Sequence, residues 1–204
     1  MGRSGAAERT TSETAVRAFV ELDGSGQATV TTGIGFLDHL LELLARHALI
    51  DLELTASGDL HVDEHHTVED CGIVLGRALD EALGARSAIR RYGDARVPMD
   101  EALAECALDL GGRFHATIEP RPHATDAADP WLELLPHLLE SLAREARIGV
   151  HLEVRGAHSV HHHVEAMVKA FARALREASE LDPRLGVLQR GSQEAVPSTK
   201  GSLR

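Results

Sequence analysis

Two short histidine–glutamate motifs contain the side chains best suited to chemistry in this chain. The first, HHTVE, occupies residues 65–69, and the second, HHHVE, occupies residues 161–165. In a helix, residues four apart share one face, so His65 and Glu69 can bind the same metal ion. His66 is turned about 100° from its neighbour and should face a second ion. A single motif can therefore divide its ligands between two ions.

The second motif offers the same division of ligands. His161 and Glu165 can bind one ion, and His162 another. Two further histidines, His39 and His137, occupy matching positions ahead of the two motifs. Together these side chains supply three imidazoles and one carboxylate per ion, which leaves two open positions on an octahedral ion. Such a set suits Mn, Fe, Co or Zn, and spacing alone does not choose among them.

The chain is an internal duplication. Residues 37–54 and 135–152 are identical at eleven of 18 positions, at an offset of 98 residues. The two HHxxE motifs, and the segments RALDEA and RALREA that follow them, repeat at an offset of 96. Chance does not produce this similarity. A lone HHxxE is often a pair of surface histidines, but both copies retain all their candidate ligands, which favours a dinuclear metal site.

The elements that must position these ligands can be predicted for each copy. In the first copy we predict a hairpin from residues 17–22 and 27–31, a helix over 37–45, a strand over 51–55 and a helix over 67–83. The second copy repeats this order, with a hairpin in residues 107–118 and helices over residues 131–147 and 163–181. The predicted class is α+β, with two units that are each a small sheet backed by helices.

Bulk composition excludes several function classes. The 204 residues have a formal net charge of −11, which argues against nonspecific binding to nucleic acid. The two cysteines, Cys71 and Cys106, have no CxxC spacing and suit a reducing cytoplasm. The first 14 residues lack the apolar segment of a signal peptide, and no apolar run approaches the roughly 20 residues that span a bilayer. We therefore expect a cytoplasmic protein with neither nucleic acid nor membrane as a partner.

The chain resembles the imidazoleglycerol-phosphate dehydratase family over nearly its whole length. The segments that carry the resemblance include RTTSET (9–14), TGIGFLDHLLELLARH (32–47), GDLHVDEHHTVEDCGIVLG (58–76), VPMDEALAECALDLGGR (97–113) and PSTKG (197–201). The resemblance implies a duplicated fold of the ribosomal-S5-domain-2-like type. We place the first structural repeat at residues 1–95, the second at 96–192 and a C-terminal substrate loop at 193–204.

The resemblance also implies a reaction and a cofactor. The reaction is the dehydration of imidazoleglycerol phosphate to imidazoleacetol phosphate in histidine biosynthesis, with the substrate imidazole bound as imidazolate by two manganese ions. One ion would be held by His39, His66, His161 and Glu165, and the other by His65, Glu69, His137 and His162. Members of the family assemble as homo-oligomers of 24 subunits, with sites between subunits.

Several positions match residues that bind or act on the substrate in that family. Glu13 matches the acid/base carboxylate. The phosphate-binding positions are matched by Arg91, Arg113, Ser198 and Lys200, whose guanidinium, hydroxyl and ammonium groups suit a phosphate monoester. His47 matches a position beside the substrate. Its repeat partner is Glu145, so a metal-ligand role for His47 is not expected.

The chain departs from the family pattern in places, and two other readings of the motifs remain open. Leu40 replaces the usual Met, and His158 stands where the family usually has Asn. A dinuclear metallohydrolase would use a bridging hydroxide to attack an ester, although such sites usually rely on Asp bridges. A His-rich metal-binding protein would not need Arg91, Arg113 or the PSTKG motif.

Overall fold

The structure is a computed structural model that describes residues 2–120, 128–156, 158–188 and 197. The first copy contains β1 (Ser4–Thr10), β2 (Thr14–Glu21), β3 (Ala28–Thr31), α1 (Gly35–Ala48), β4 (Asp51–Gly58) and α2 (His65–Leu83). The second contains β5 (Tyr92–Met99), β6 (Ala102–Asp109), β7 (His115–Glu119), α3 (Trp131–Ala146), β8 (Gly149–Arg155) and α4 (Val160–Ser179), followed by α5 (Pro183–Leu188). The four predicted helices are confirmed, and both HHxxE motifs lie in the first turns of helices.

Each copy forms a four-stranded sheet with the same topology. The strand orders are β1-β2-β4-β3 and β5-β6-β8-β7, and the last pair in each sheet is parallel. The predicted hairpins are wrong, because β4 separates β2 from β3 and β8 separates β6 from β7. The reason is visible at Asp51 at the start of β4, whose side chain accepts the backbone N–H groups of Ser25 and Gln27 at 2.7 and 2.9 Å. The predicted turn therefore forms, but it is held by the strand that comes between β2 and β3.

Strand β5 spans the position at which the sequence divides the two copies. Strand β5 runs from Tyr92 to Met99, so the predicted boundary after residue 95 falls inside a strand. Gly93 weakens the sequence pattern that would mark residues 92–99 as a strand. A Cβ at this position would lie 2.2 Å from the carbonyl oxygen of Ala174. Packing against α4 therefore requires glycine here, although glycine is unfavourable within a strand.

The helices form the centre of the molecule, between the two sheets. Helices α1 and α2 pack on the first sheet and α3 and α4 on the second, while α1 contacts α4 and α2 contacts α3. Gly72 permits a close approach of α2 to α3, since a Cβ there would lie 2.5 Å from the carbonyl oxygen of Leu138. Each helix of one copy that bears candidate ligands thus packs against one from the other copy. Within the described ranges, no helix is long and apolar enough to span a membrane.

Candidate metal centre

The first cluster of candidate ligands lies between α1 and α4. Oε1 of Glu165 is 2.8 Å from Nε2 of His39 and 2.8 Å from Nε2 of His161. The Glu165 residue is only 5% exposed. A buried carboxylate is costly unless it is paired, and here it is shared by two imidazoles. The cluster joins the first copy, through His39, to the second.

Lys169 completes the surroundings of Glu165. Its Nζ lies 2.7 Å from the second carboxylate oxygen and 3.3 Å from Sδ of Met99. Burial, the largest single influence, favours the neutral form of Glu165, but the hydrogen bonds from Lys169 and His39 together outweigh it and lower its pKa. The sequence analysis missed Lys169, because its repeat partner is Ile73. Its spacing of four residues from Glu165 was the only available signal.

The second cluster lies between α2 and α3. The ligand atoms of His65, Glu69 and His137 all lie within 4.8 Å of one another. The rings of His65 and His137 are stacked with centroids 4.5 Å apart, and Oε1 of Glu69 is 3.4 Å from Nε2 of His137. That Nε2 is buried and has no hydrogen-bond partner among the described residues. A buried nitrogen without a hydrogen bond is unfavourable, and a metal ion would satisfy it, so this donor set fits a metal site.

His66 does not join either of these clusters. Its Nδ1 lies 3.1 Å from Oδ2 of Asp59 and 3.8 Å from Oε2 of Glu13. The hydrogen bond to Asp59 is the main reason that the pKa of His66 is raised. Because Nδ1 of His66 is hydrogen-bonded to a carboxylate, Nε2 is the nitrogen that remains available to a metal.

His162 has an equivalent environment made from different residues. Its Nδ1 is 2.9 Å from Oε2 of Glu101, and its Nε2 is 3.5 Å from Oδ2 of the exposed Asp100. The hydrogen bond with His162, followed by those from backbone amides including Ser159, lowers the pKa of Glu101 to about 2. The sequence analysis identified neither Asp59 nor Glu101, since neither lies at a ligand-like spacing from a histidine.

The structure thus separates the eight candidate ligands into two triads and two single histidines. Each triad is three of the four ligands that the family resemblance assigns to one ion. The fourth member of each set, His66 for the first triad and His162 for the second, lies instead beside its own carboxylates. Each triad combines residues of both copies, because α1 packs on α4 and α2 on α3.

Glu13 lies in the turn between β1 and β2, and that turn is fastened to α2. The hydroxyl of Thr11 accepts the backbone N–H of Glu13 at 3.1 Å. Next to it, the Thr14 hydroxyl donates to the buried carboxylate of Asp70, which also accepts from Nε of Arg9 at 2.8 Å. The Glu13 side chain is 53% exposed and remains available for contact with a substrate.

Arg91 is held in place by Asp109. Its Nε and Nη2 donate to the two carboxylate oxygens at 2.7 and 3.1 Å, and its guanidinium lies 4.6 Å from the centroid of the Tyr92 ring. Nη1 donates to the carbonyl oxygen of Pro197 at 2.8 Å. The structure therefore brings the first residue of the PSTKG motif to Arg91.

The other predicted substrate-binding residues are placed in part. Arg113 lines a cavity of about 500 Å³ together with Asp109. His47, on α1, is half-buried, and burial together with the charges of Lys169 and Arg173 lowers its pKa. No hydrogen bond or ion pair joins Arg91 or Arg113 to a candidate metal ligand in the described part of the chain. The predicted residues Ser198 and Lys200 lie outside the described residues.

The fold is a duplicated α+β fold with two histidine–carboxylate triads, and the exposed carboxylate of Glu13 lies beside the separate His66. These features define a class of enzyme built around a candidate metal centre. Comparison with known proteins identifies the member of that class. The family model for imidazoleglycerol-phosphate dehydratase matches residues 32–175. The chain therefore belongs to the imidazoleglycerol-phosphate dehydratase family, whose members are hydro-lyases of histidine biosynthesis.

Individual relatives agree with this assignment over the whole chain. The imidazoleglycerol-phosphate dehydratase of Granulibacter bethesdensis is 49% identical over 203 residues, covering 100% of both chains. That of Chloroflexus aurantiacus is 49% identical over 196 residues, covering 96% of this chain and 92% of the relative. Among solved structures, the enzyme of Pyrococcus furiosus in complex with (S)-C348 aligns with a TM-score of 0.78 and 32% identity, covering 96% of this chain and 99% of that one. The predicted duplicated α+β fold is confirmed.

Proposed function

We propose that this enzyme dehydrates imidazoleglycerol phosphate to imidazoleacetol phosphate at a site that holds two manganese ions. The observation that carries the proposal is the second triad, where the buried Nε2 of His137 makes no hydrogen bond among the described residues and lies 3.4 Å from Oε1 of Glu69, with His65 close by. Bound ions would supply Lewis acidity that favours the imidazolate form of the substrate ring, whose electrons can expel the side-chain hydroxyl.

The chain's own side chains would bind the substrate and move its protons. Glu13 is exposed next to His66 and acts as the acid/base group on the substrate side chain, where one C–H proton and one hydroxyl leave as water. The resulting enol becomes the ketone. Arg91 and Arg113 bind the phosphate with Ser198 and Lys200, and residues 193–204 form a substrate loop. The contact of Arg91 with Pro197 supports this grouping.

We further propose that complete sites form between copies of the chain. Each triad lacks its fourth ligand. Within one chain, the histidines that would supply it, His66 and His162, lie beside other carboxylates. In such a site, His39, His161 and Glu165 of one subunit would meet His66 of another. The adjacent His65 and His66 would then bind different ions, as their helical spacing requires. An assembly of 24 subunits is the form we expect. The buried free thiols of Cys71 and Cys106 support a cytoplasmic location.

The first experiment tests the reaction. We would strip the protein of metal, add manganese, and follow imidazoleglycerol phosphate by mass spectrometry for the loss of one water. We expect conversion that depends on manganese, and none with Glu13→Gln although this variant still binds metal. Two bound ions without dehydration would refute the proposal. Release of inorganic phosphate would then indicate a metallohydrolase, and no reaction would leave a metal-binding protein.

The second experiment tests the shared site. Glu165→Ala damages one triad and His65→Ala the other, and each variant alone should be inactive. If sites form between subunits, a mixed assembly of the two variants will contain sites in which both contributing faces are intact. Random mixing in equal amounts should restore about one quarter of wild-type activity. No restoration in assemblies shown to be mixed would mean that each site belongs to one chain.

A further inference from the structure

The turns that carry Glu13 and Glu101 are equivalent in the duplicated fold. Glu13 lies between β1 and β2, Glu101 lies between β5 and β6, and the two are 88 residues apart. The strands around them follow the same offset. A Cβ at Gly5 in β1 or at Gly93 in β5 would lie 2.2 Å from a carbonyl oxygen of the helix below. Glu101 is therefore the structural twin of the proposed acid/base residue.

The two glutamates have different partners. Oε1 of Glu101 accepts the backbone N–H groups of His158 and Ser159 at 3.0 and 2.9 Å. Oε2 of Glu101 lies 2.9 Å from Nδ1 of His162. Because an ionised carboxylate only accepts hydrogen bonds, this contact requires the proton of the neutral His162 ring to be on Nδ1. The lone pair is then on Nε2, the nitrogen that would bind a metal.

In the first copy, Asp59 takes this place instead of the turn glutamate. Asp59 lies 3.1 Å from Nδ1 of His66, whereas Glu13 is 3.8 Å away, beyond a normal hydrogen bond. The stretch of the second copy that corresponds to Asp59, residues 155–157, reads Arg-Gly-Ala and has no carboxylate. In the second copy the other carboxylate near the histidine belongs to the exposed Asp100, and it lies 3.5 Å from Nε2 of His162, so Glu101 is the carboxylate that contacts Nδ1.

We propose that Glu101 is a positioning residue that holds His162 in the tautomer able to bind metal through Nε2. The two copies use different residues for this role: Glu101 orients His162 in the second copy, while Asp59 orients His66 in the first and leaves Glu13 free for proton transfer. Carboxylates that bind the second nitrogen of a metal-bound histidine fix its orientation in this way. The inference rests on the proposed function, in which His162 is a ligand to one of two ions.

Glu101→Gln tests this role with little change in shape. Two backbone N–H groups need an acceptor, so the amide oxygen remains on His158 and Ser159. The amide NH₂ group then faces Nδ1 of His162 and favours the tautomer with the proton on Nε2, which cannot bind metal. Glu13→Gln is the matched control, because it makes the same chemical change in the twin turn without a hydrogen bond to a candidate ligand.

The measurement is manganese bound per chain by equilibrium dialysis with elemental analysis, together with the melting temperature of the metal-stripped protein. We expect two ions in the wild type and in Glu13→Gln. Glu101→Gln should lose about 10- to 100-fold in affinity for one ion only, with the melting temperature of the stripped protein unchanged.

Three results would overturn the inference. Wild-type affinity for both ions in Glu101→Gln would show that Glu101 does not position His162. A lower melting temperature of the stripped variant, with both ions weakened, would show that Glu101 only holds the start of α4. Fewer than two ions in the wild type would refute the proposed dinuclear centre itself, and the role of Glu101 with it.

Discussion

The buried pair of Thr14 and Asp70 provides the most direct test of how the Glu13 turn is held. Thr14 is 4% exposed and Asp70 is 7% exposed, and the hydroxyl donates to the carboxylate. The corresponding positions of the second copy, at offsets of 88 and 96, are Ala102 and Ala166. The fold therefore accepts either a polar pair or two alanines here, and a mixture of the two should be unfavourable.

The expected magnitudes follow from the hydrogen bonds that each substitution removes. Asp70→Ala removes a charge-assisted hydrogen bond, which costs about 1.5–3 kcal/mol, and leaves the buried Thr14 hydroxyl with only the Thr11 hydroxyl, 3.3 Å away. It also frees Arg9, but that side chain is 37% exposed and its ion pair contributes at most about 1 kcal/mol. We therefore expect Asp70→Ala to lower the free energy of unfolding by about 2–4 kcal/mol. Thr14→Ala leaves the buried carboxylate one donor short and should cost about 1–3 kcal/mol.

The double variant Thr14→Ala/Asp70→Ala has two alanines, as the second copy does at Ala102 and Ala166. It should cost at least about 1 kcal/mol less than the sum of the two single variants. The assay is urea unfolding of the metal-stripped protein followed by circular dichroism, at one protein concentration in case of assembly. Arg9→Ala is the control and should cost at most about 1 kcal/mol. Additive single effects, or an Asp70→Ala cost below about 0.5 kcal/mol, would refute this account.

Three further predictions test other parts of the molecule. Gly72→Ala should push α2 away from the Leu138 carbonyl, and urea titrations should show a free energy of unfolding lower by about 1–3 kcal/mol. An unchanged free energy of unfolding would mean that α2 and α3 can separate freely. Arg91→Lys keeps the charge but loses the paired hydrogen bonds to Asp109, so steady-state kinetics should show a KM at least about tenfold higher, and an unchanged KM would exclude Arg91 from phosphate binding. The backbone N–H groups of the β2–β3 turn lower the pKa of Asp51 below 3.8. The ionised carboxylate therefore stabilises the fold above that pH, and this stabilisation is lost as the pH falls through the folded pKa of Asp51. The difference in free energy of unfolding between wild type and Asp51→Asn should shrink in acid. A difference that does not change with pH would contradict this.

The sequence by itself determined the local features of the site. Helical spacing of four residues pairs His65 with Glu69, and repetition at an offset of 96 marks His161 and Glu165 as their twins. The four helices were predictable, since an apolar stripe and local hydrogen bonds depend only on neighbouring residues. Repetition does not mark Lys169, because its counterpart in the first copy is Ile73.

Only the tertiary structure decided which ligands meet. Spacing and repetition could not show that His39 lies with Glu165 rather than with Glu69, a grouping that only the family resemblance implied. It depends on α1 packing against α4 across the two copies. Nor could it show that β4 lies between β2 and β3, or that Glu101 contacts His162. These contacts join residues far apart in the chain. Their energies come from burying faces of helices and sheets against one another, and many pairings of such faces agree with the same local pattern until the whole core is packed.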